Sequence, residues 1–365
     1  MKRIDHLVAF PKDAQSSPFF GALATVLLPA LGYGADTPFY CAPKGTFCIH
    51  CGNCTDSTAL ERNHLQIYHE YATRTGVALG WSEPDGLGLD DDFVRRVMGI
   101  AGLSWKRVAR KDGRAAVFRA LKAAIEAGYP ALMKRGDGRD WLVVGGYEER
   151  GRLVGLDAHA HFDVSARPAL LPDEYTADGW FVLSDWFSQF RSAIVMTGGG
   201  MTRTSLADTL VCMIDALESA GLDALEREVL RRIDAVTPDN AYDTAVWLNG
   251  VVGYPIEARW HTAECAAATL MRMTENPRVR EKLFAVARQY VFDGELDATH
   301  GTCWKIWALL GVGSETGYSV APETAAAIAE SAAKEEGKRL FQIVFENDRV
   351  VLGLLREARE LLACE

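Results

Sequence analysis

The sequence has no apolar stretch long enough to cross a bilayer. Its longest, Phe19–Leu31, is broken by Gly21 and Pro29 and falls short of the roughly 20 residues that a spanning helix needs. Asp5, Lys12 and Asp13 precede it and no small-x-small cleavage site follows, so it does not read as a secretion signal. Cationic surplus is also missing. Against 39 Lys and Arg stand 49 Asp and Glu, for a net charge of −10. Such a surface repels phosphate backbones and anionic lipid, which argues against nucleic acid and membranes as partners. Neither GxxxxGK[ST] nor GxGxxG occurs, so Gly198-Gly199-Gly200 reads as a linker rather than a phosphate cradle. No regular repeat is present. These absences leave a cytoplasmic protein acting on a small molecule or a peptide, with a homo-oligomer left open.

What is there is ordinary globular material, 48% hydrophobic and 24% charged over 365 residues. That length exceeds what one core usually organises and implies two domains. The expected division is 1–197, a linker over 198–203, and 204–365.

The first part reads as α+β. Pro18 in a first turn and Gly32 at an end bracket a helix over Phe19–Leu31. Helical spacing recurs over Ala59–Thr75, Asp90–Gly99 and Arg114–Ala127. Short apolar runs bounded by turns predict strands at Pro130–Lys134, Trp141–Tyr147, Arg152–Asp157, Trp180–Leu183 and Ala193–Met196. Strands so closely spaced imply an antiparallel sheet. Beyond the glycines nearly every segment is helical, ending in a long stretch over Glu323–Leu362, so the second part is expected to be all-α.

Eight cysteines are unevenly placed: Cys41, Cys48, Cys51 and Cys54 cluster, while Cys212, Cys265, Cys303 and Cys364 are scattered. The chain is neither small nor visibly secreted, so a disulfide framework is not expected. Two chemistries suit the cluster. Four thiols, with His50 as substitute, are enough to surround one tetrahedral zinc ion. Alternatively Cys54, or Cys51 after it, lies just before a predicted helix start, where unpaired N–H groups and the helix dipole favour thiolate. A histidine is then needed, and Asp157-Ala158-His159-Ala160-His161 closes a predicted strand. His159 or His161 would move the proton, Asp157 would orient the ring, and Asn53 or a backbone N–H would hold the oxyanion. His64 and His69, five apart on a helix, point in different directions. His261 with Cys265, and His300 with Cys303, read as structural.

Ala22–Gly32, Gly128–Leu132, Trp141–Tyr147 and Leu153–Asp157 together resemble the papain-like cysteine-peptidase superfamily. The nearest branches are the bacteriocin-leader-processing peptidases and the butirosin-biosynthesis acyltransferase type, over about residues 15–197. The resemblance implies an α+β peptidase-like domain and a thiol-dependent hydrolase or acyltransferase for an amide, ester or thioester. It also implies a cysteine where the first helix starts, a histidine near Asp140 or Trp141, and an acid or amide closing the following strand. Here Ser17, Pro18 and Phe19 hold the first place and neither Asp140 nor Trp141 is histidine, while Asp157 matches the third. Three functions therefore stay open. The first is a thiol enzyme with a relocated Cys51 or Cys54 site. The second is a zinc protein built on Cys41–Cys54. The third is a non-catalytic binder with a degenerate peptidase fold, lined by aromatics such as Trp141, Trp180, Trp186, Trp247, Trp260 and Trp304.

Overall fold

A computed structural model describes residues 1–4, 7, 18–32, 59–81, 88–136, 141–157, 174–175, 180–250, 254–291, 298–313 and 319–364. Twelve α-helices and eight strands occur among them, and they fall into two compact units. The first holds the described residues through Tyr71 and from Gly88 to Thr204. The second holds Ala72 to Trp81 and the residues from Ser205 on.

In the first unit, helix α1 (Pro18–Ala30) starts on its proline and is followed by Gly32 at φ +77°, a conformation open to glycine at no steric cost. Helix α2 (Ala59–Arg74) follows. Helix α3 (Asp91–Ala101) starts where the Asp90 carboxylate accepts from the Asp92 N–H at 2.9 Å, which satisfies an otherwise orphaned donor. Helix α4 (Arg114–Glu126) puts Val117, Leu121, Ala124 and Ile125 on one buried stripe.

The strands are β1 (Lys2–Arg3), β2 (Leu103–Ala109), β3 (Ala131–Arg135), β4 (Trp141–Tyr147), β5 (Leu153–Asp157), β6 (Glu174–Tyr175), β7 (Phe181–Leu183) and β8 (Phe190–Gly199). They form one sheet in the order β2-β8-β3-β4-β5-β7-β6, with β1 also paired to β4. Every described pairing is antiparallel. Ala131, Met133, Leu142, Val144, Ala193 and Val195 join the α4 stripe in one core. Alternation then turns Leu132, Lys134, Trp141, Val143, Ser192 and Ile194 to the opposite face, on which α1 lies against β3 and β4. The sheet is thus covered by a helix on each side.

One expectation is corrected here. Strand β2 lies in a stretch, Leu103–Ala109, for which no element is expected. Strand β8 runs on through the glycines read as a linker, Gly198 pairing with Ser104 and Gly199 with Leu103. Glycine costs backbone entropy, but a partner strand that supplies ladder hydrogen bonds holds it in place.

The second unit is helical. It comprises α5 (Leu206–Ser219), α6 (Leu222–Asp234), α7 (Ala241–Leu248), α8 (Tyr254–Ala268), α9 (Pro277–Tyr290), α10 (Thr299–Leu309), α11 (Pro322–Ala325) and α12 (Ser331–Ala363). Ser205 and Asp208 cap α5 reciprocally, and Asn276 caps α9 ahead of Pro277. The long final helix predicted from Glu323 is instead divided, α11 and a 3-10 turn over Ala326–Ala329 preceding α12.

Helix α8 packs against α9, α10 and the 3-10 turn Val77–Leu79, and it is buried around most of its girth, including Arg259 and His261. Arg259 survives there because each of its three guanidinium nitrogens is hydrogen-bonded. Its Nη1 donates to the carbonyls of Ala78 at 2.8 Å and Gly80 at 3.2 Å. Its Nε and Nη2 donate to Asp348 at 3.1 and 2.7 Å. Asp348 also accepts from Trp81 Nε1 at 2.7 Å and the Tyr290 hydroxyl at 2.8 Å. Burial, then the charge of Asp348, pushes the Tyr290 phenol well above its ordinary value, so it stays a donor. A buried ion pair this fully satisfied reads as structural.

Candidate functional site

The start of α1 meets the start of β4. Phe19 opens the buried part of α1, and its ring meets that of Trp141, the first residue of β4, edge to face with centroids 5.3 Å apart. Each is 3% exposed. Phe20 and Phe93 extend the cluster, Phe19 lying 5.5 and 5.8 Å from them. Gly88 closes over the pair at φ +82°, and a Cβ there would overlap the Phe19 ring and come within 2.6 Å of Trp141 Cζ2. The chain therefore presses backbone directly onto two aromatic rings. Neither ring can attack a carbonyl or carry a proton.

Beneath the aromatics runs a polar row. Lys134 on β3 pairs with Trp141 on one side and Ser192 of β8 on the other, so the three side chains share a face. Lys134 is 4% exposed and its ammonium lies 5.4 Å from the Trp141 ring centre, close enough for a cation–π contact. The Ser192 hydroxyl is buried and has no hydrogen-bond partner among the described residues. Sequence reasoning missed both residues because Lys134 stands at the end of a predicted strand, where a lysine normally reads as solvated. The signal that could have found it is alternation, which aligns Lys134 with buried Leu132.

His64 marks the other side of α1. Its Nε2 lies 2.9 Å from Thr25 Oγ1 and 3.1 Å from the Gly21 carbonyl oxygen. A carbonyl only accepts, so Nε2 carries the hydrogen. Complete burial, partly offset by the bond to Gly21, lowers the pKa to about 4. A neutral imidazole so placed ties α2 to α1.

The residues singled out in the sequence fare unequally. Cys41, Cys48, His50, Cys51, Asn53, Cys54, His159 and His161 lie outside the described residues. Asp157 ends β5, its backbone paired with Leu142, while its side chain lies outside them. Cys265 and Cys303 are buried, Cys212 is half-buried and Cys364 is exposed. Trp141, Trp180, Trp186 and Trp260 are buried, whereas Trp304 is 48% exposed. Among the described residues, no three His, Cys, Asp or Glu converge as a metal would require. Nor is any described helix long and apolar enough to cross a membrane. No protein-family model and no curated protein sequence matches the chain.

Proposed function

We propose that this protein is a binder built on a peptidase-like frame, taking a small molecule or a peptide without turning it over. One observation carries the reading. Where papain-like enzymes need a thiol at the helix start and an imidazole on the facing strand, this chain packs Phe19 against Trp141 and seals them with Gly88. A helix dipole lowers a thiol pKa only for a thiol that stands at its end. The peptidase-like frame is supported by a helix laid across an antiparallel sheet, with β4 and β5 adjacent and Asp157 closing β5. Fold alone does not carry chemistry.

The test is thiol reactivity together with turnover. Labelling by iodoacetamide near neutral pH should leave Cys51 and Cys54 no faster than a free peptide thiol. A bound small molecule or peptide should raise the melting temperature and be recovered unchanged. Rapid labelling of Cys54 or Cys51, lost when His159 or His161 is replaced, would overturn the reading and restore the thiol enzyme. A stoichiometric metal in protein purified without a histidine tag would instead favour zinc on Cys41, Cys48, Cys51 and Cys54.

A further inference from the structure

Between β2 and α4 the chain makes a 3-10 turn over Arg110–Asp112, and the loop between β7 and β8 comes up against it. Trp186 of that loop is 2% exposed and donates from Nε1 to the Gly151 carbonyl at 3.0 Å. Its ring and that of Phe187 stand edge to face with centroids 5.3 Å apart. Trp186 belongs to the core beneath α4 and Phe187 packs on it. Two adjacent rings thus pin the loop to the sheet.

Two arginines lie on that aromatic shelf. The Arg110 guanidinium stands 5.8 Å from the Phe187 ring centre and donates from Nη1 to the Ser188 carbonyl at 2.5 Å. Arg114, the first residue of α4, stands 5.8 Å from the Trp186 ring centre and donates from Nη2 to the Ser184 carbonyl at 3.4 Å. A ring and a carbonyl hold a guanidinium in place without cancelling its charge. Elsewhere in the same unit Arg95, Arg107, Lys122 and Arg152 each reach a carboxylate. Arg110, Arg114 and the Lys111 between them are all exposed and make no ion pair among the described residues. Most donors on both guanidiniums stay open.

The described carboxylates of the turn and the loop are Asp112 and Asp185. Asp112 accepts from the Ala109 N–H at 2.8 Å, while exposed Asp185 sits in the loop beside Trp186. They select the kind of anion that fits. A nucleic acid carries a charge every few ångströms, so part of it would meet Asp185, and the Trp186 ring is too buried to stack on a base. The net charge of −10 repels a polyanion and an anionic membrane alike. A peptide can set carboxylates on the arginines and a neutral residue against Asp185.

We propose that this surface docks an acidic segment of a partner protein. Two of its carboxylates take the Arg110 and Arg114 forks, and Lys111 adds attraction at longer range. Planar forks grip carboxylates through paired N–H groups. Both arginines are already held in place, so docking orders few side chains on this protein. The proposal does not depend on how Phe19 and Trp141 are read, and it goes beyond the reading of the protein as a binder.

The experiment is fluorescence anisotropy of a labelled Gly-Glu repeat of about ten residues, titrated with the full-length protein in about 20 mM and about 150 mM salt. Saturable binding is expected, about tenfold or more weaker at the higher salt, and absent for the matching Gly-Lys repeat. Arg110→Gln combined with Arg114→Gln should weaken it about tenfold or more. Arg110→Lys combined with Arg114→Lys keeps the charge but loses the forks, and should weaken it about threefold or more. Lys111→Gln replaces a side chain that bonds to nothing among the described residues, so folding is untouched, and should weaken binding about twofold. Arg119 is exposed on the same helix but turned about 140° from Arg114, and Arg119→Gln should change nothing. No saturable binding, equal losses in Arg119→Gln and the double glutamine variant, or full affinity in the double lysine variant would each overturn the proposal. So would tighter binding of oligothymidine or of phosphatidylserine vesicles. Should the arginine variants unfold, unchanged affinity in Lys111→Gln overturns it.

Discussion

Replacing Asp348 by Asn tests how the second unit is held together. The native carboxylate is fully buried and accepts four hydrogen bonds, two from Arg259 and one each from Trp81 and Tyr290. Asparagine keeps the shape but loses the charge and turns one acceptor into a donor. In either flip its NH2 faces a guanidinium N–H: Arg259 Nη2, with Trp81 Nε1, on one side and Arg259 Nε on the other. The guanidinium is then left buried without its counter-ion. Removing one partner of such a pair costs about 3–5 kcal/mol. With a urea dependence of about 3 kcal/mol per molar for a unit of this size, the midpoint should fall by about 1 M or more. Urea titration followed by far-UV circular dichroism reads the helices. The double replacement Arg259→Met with Asp348→Leu should recover part of the loss, because no charge is stranded. Recovery stays partial because the Ala78 and Gly80 carbonyls lose their donor. A shift below about 0.3 M for Asp348→Asn, roughly 1 kcal/mol, would refute the idea that this ion pair holds the unit.

Three further outcomes are expected. His64 is neutral in the folded protein, while the unfolded chain takes up a proton below pH 6.5, so stability should fall as pH drops from 6.5 towards 4. The gap between the ordinary value of 6.5 and about 4 amounts to about 3 kcal/mol. Urea midpoints from pH 7 to 4 should slope less in His64→Leu, and equal slopes would show that the imidazole is not desolvated. Gly88→Ala combines a left-handed backbone with overlap on Phe19 and Trp141, and should cost about 2 kcal/mol or more. A melting temperature within a degree of the parent would show that the loop is free to move away. Ser192→Ala removes a buried hydroxyl that has no partner among the described residues and should leave stability unchanged or raise it by up to about 1 kcal/mol. A clear loss in denaturation would mean that the hydroxyl is engaged after all.

Much of this fold is legible in the sequence where the physics is local. Trp141–Tyr147 forms as expected because it is an apolar run between turns, and Leu206–Ser219 is one of the helices expected beyond the glycines, an amphipathic repeat that the structure shows capped by Ser205 and Asp208. Strand β2 escaped because Leu-Ser-Trp-Lys-Arg-Val-Ala does not alternate cleanly, its register shifting between Ser104 and Trp105. The ion pair of Arg259 and Asp348 joins residues 89 apart, and no window of the chain reveals such a pairing. The helix–sheet junction was half legible. Phe19 and Trp141 were visible in the places the resemblance reserves for catalysis, but Lys134 and Ser192 emerge only once register sets β3 between β4 and β8. The surface around Arg110–Asp112 was not legible, since Arg110, Lys111 and Arg114 are residues that any solvated turn would carry.

The Trp81–Asp348 hydrogen bond joins residues 267 apart, with consequences for synthesis. Emerging from the ribosome at about 5–20 residues per second, the chain exposes Trp81 for some 13–50 seconds before its acceptor exists. Throughout that interval a large indole awaits its acceptor, and for the first two thirds of it the Ala78 and Gly80 carbonyls also await Arg259. Slow codons or premature termination downstream of residue 81 would therefore leave a nascent chain with a sticky, unfinished seam, a natural target for chaperones and quality-control proteases.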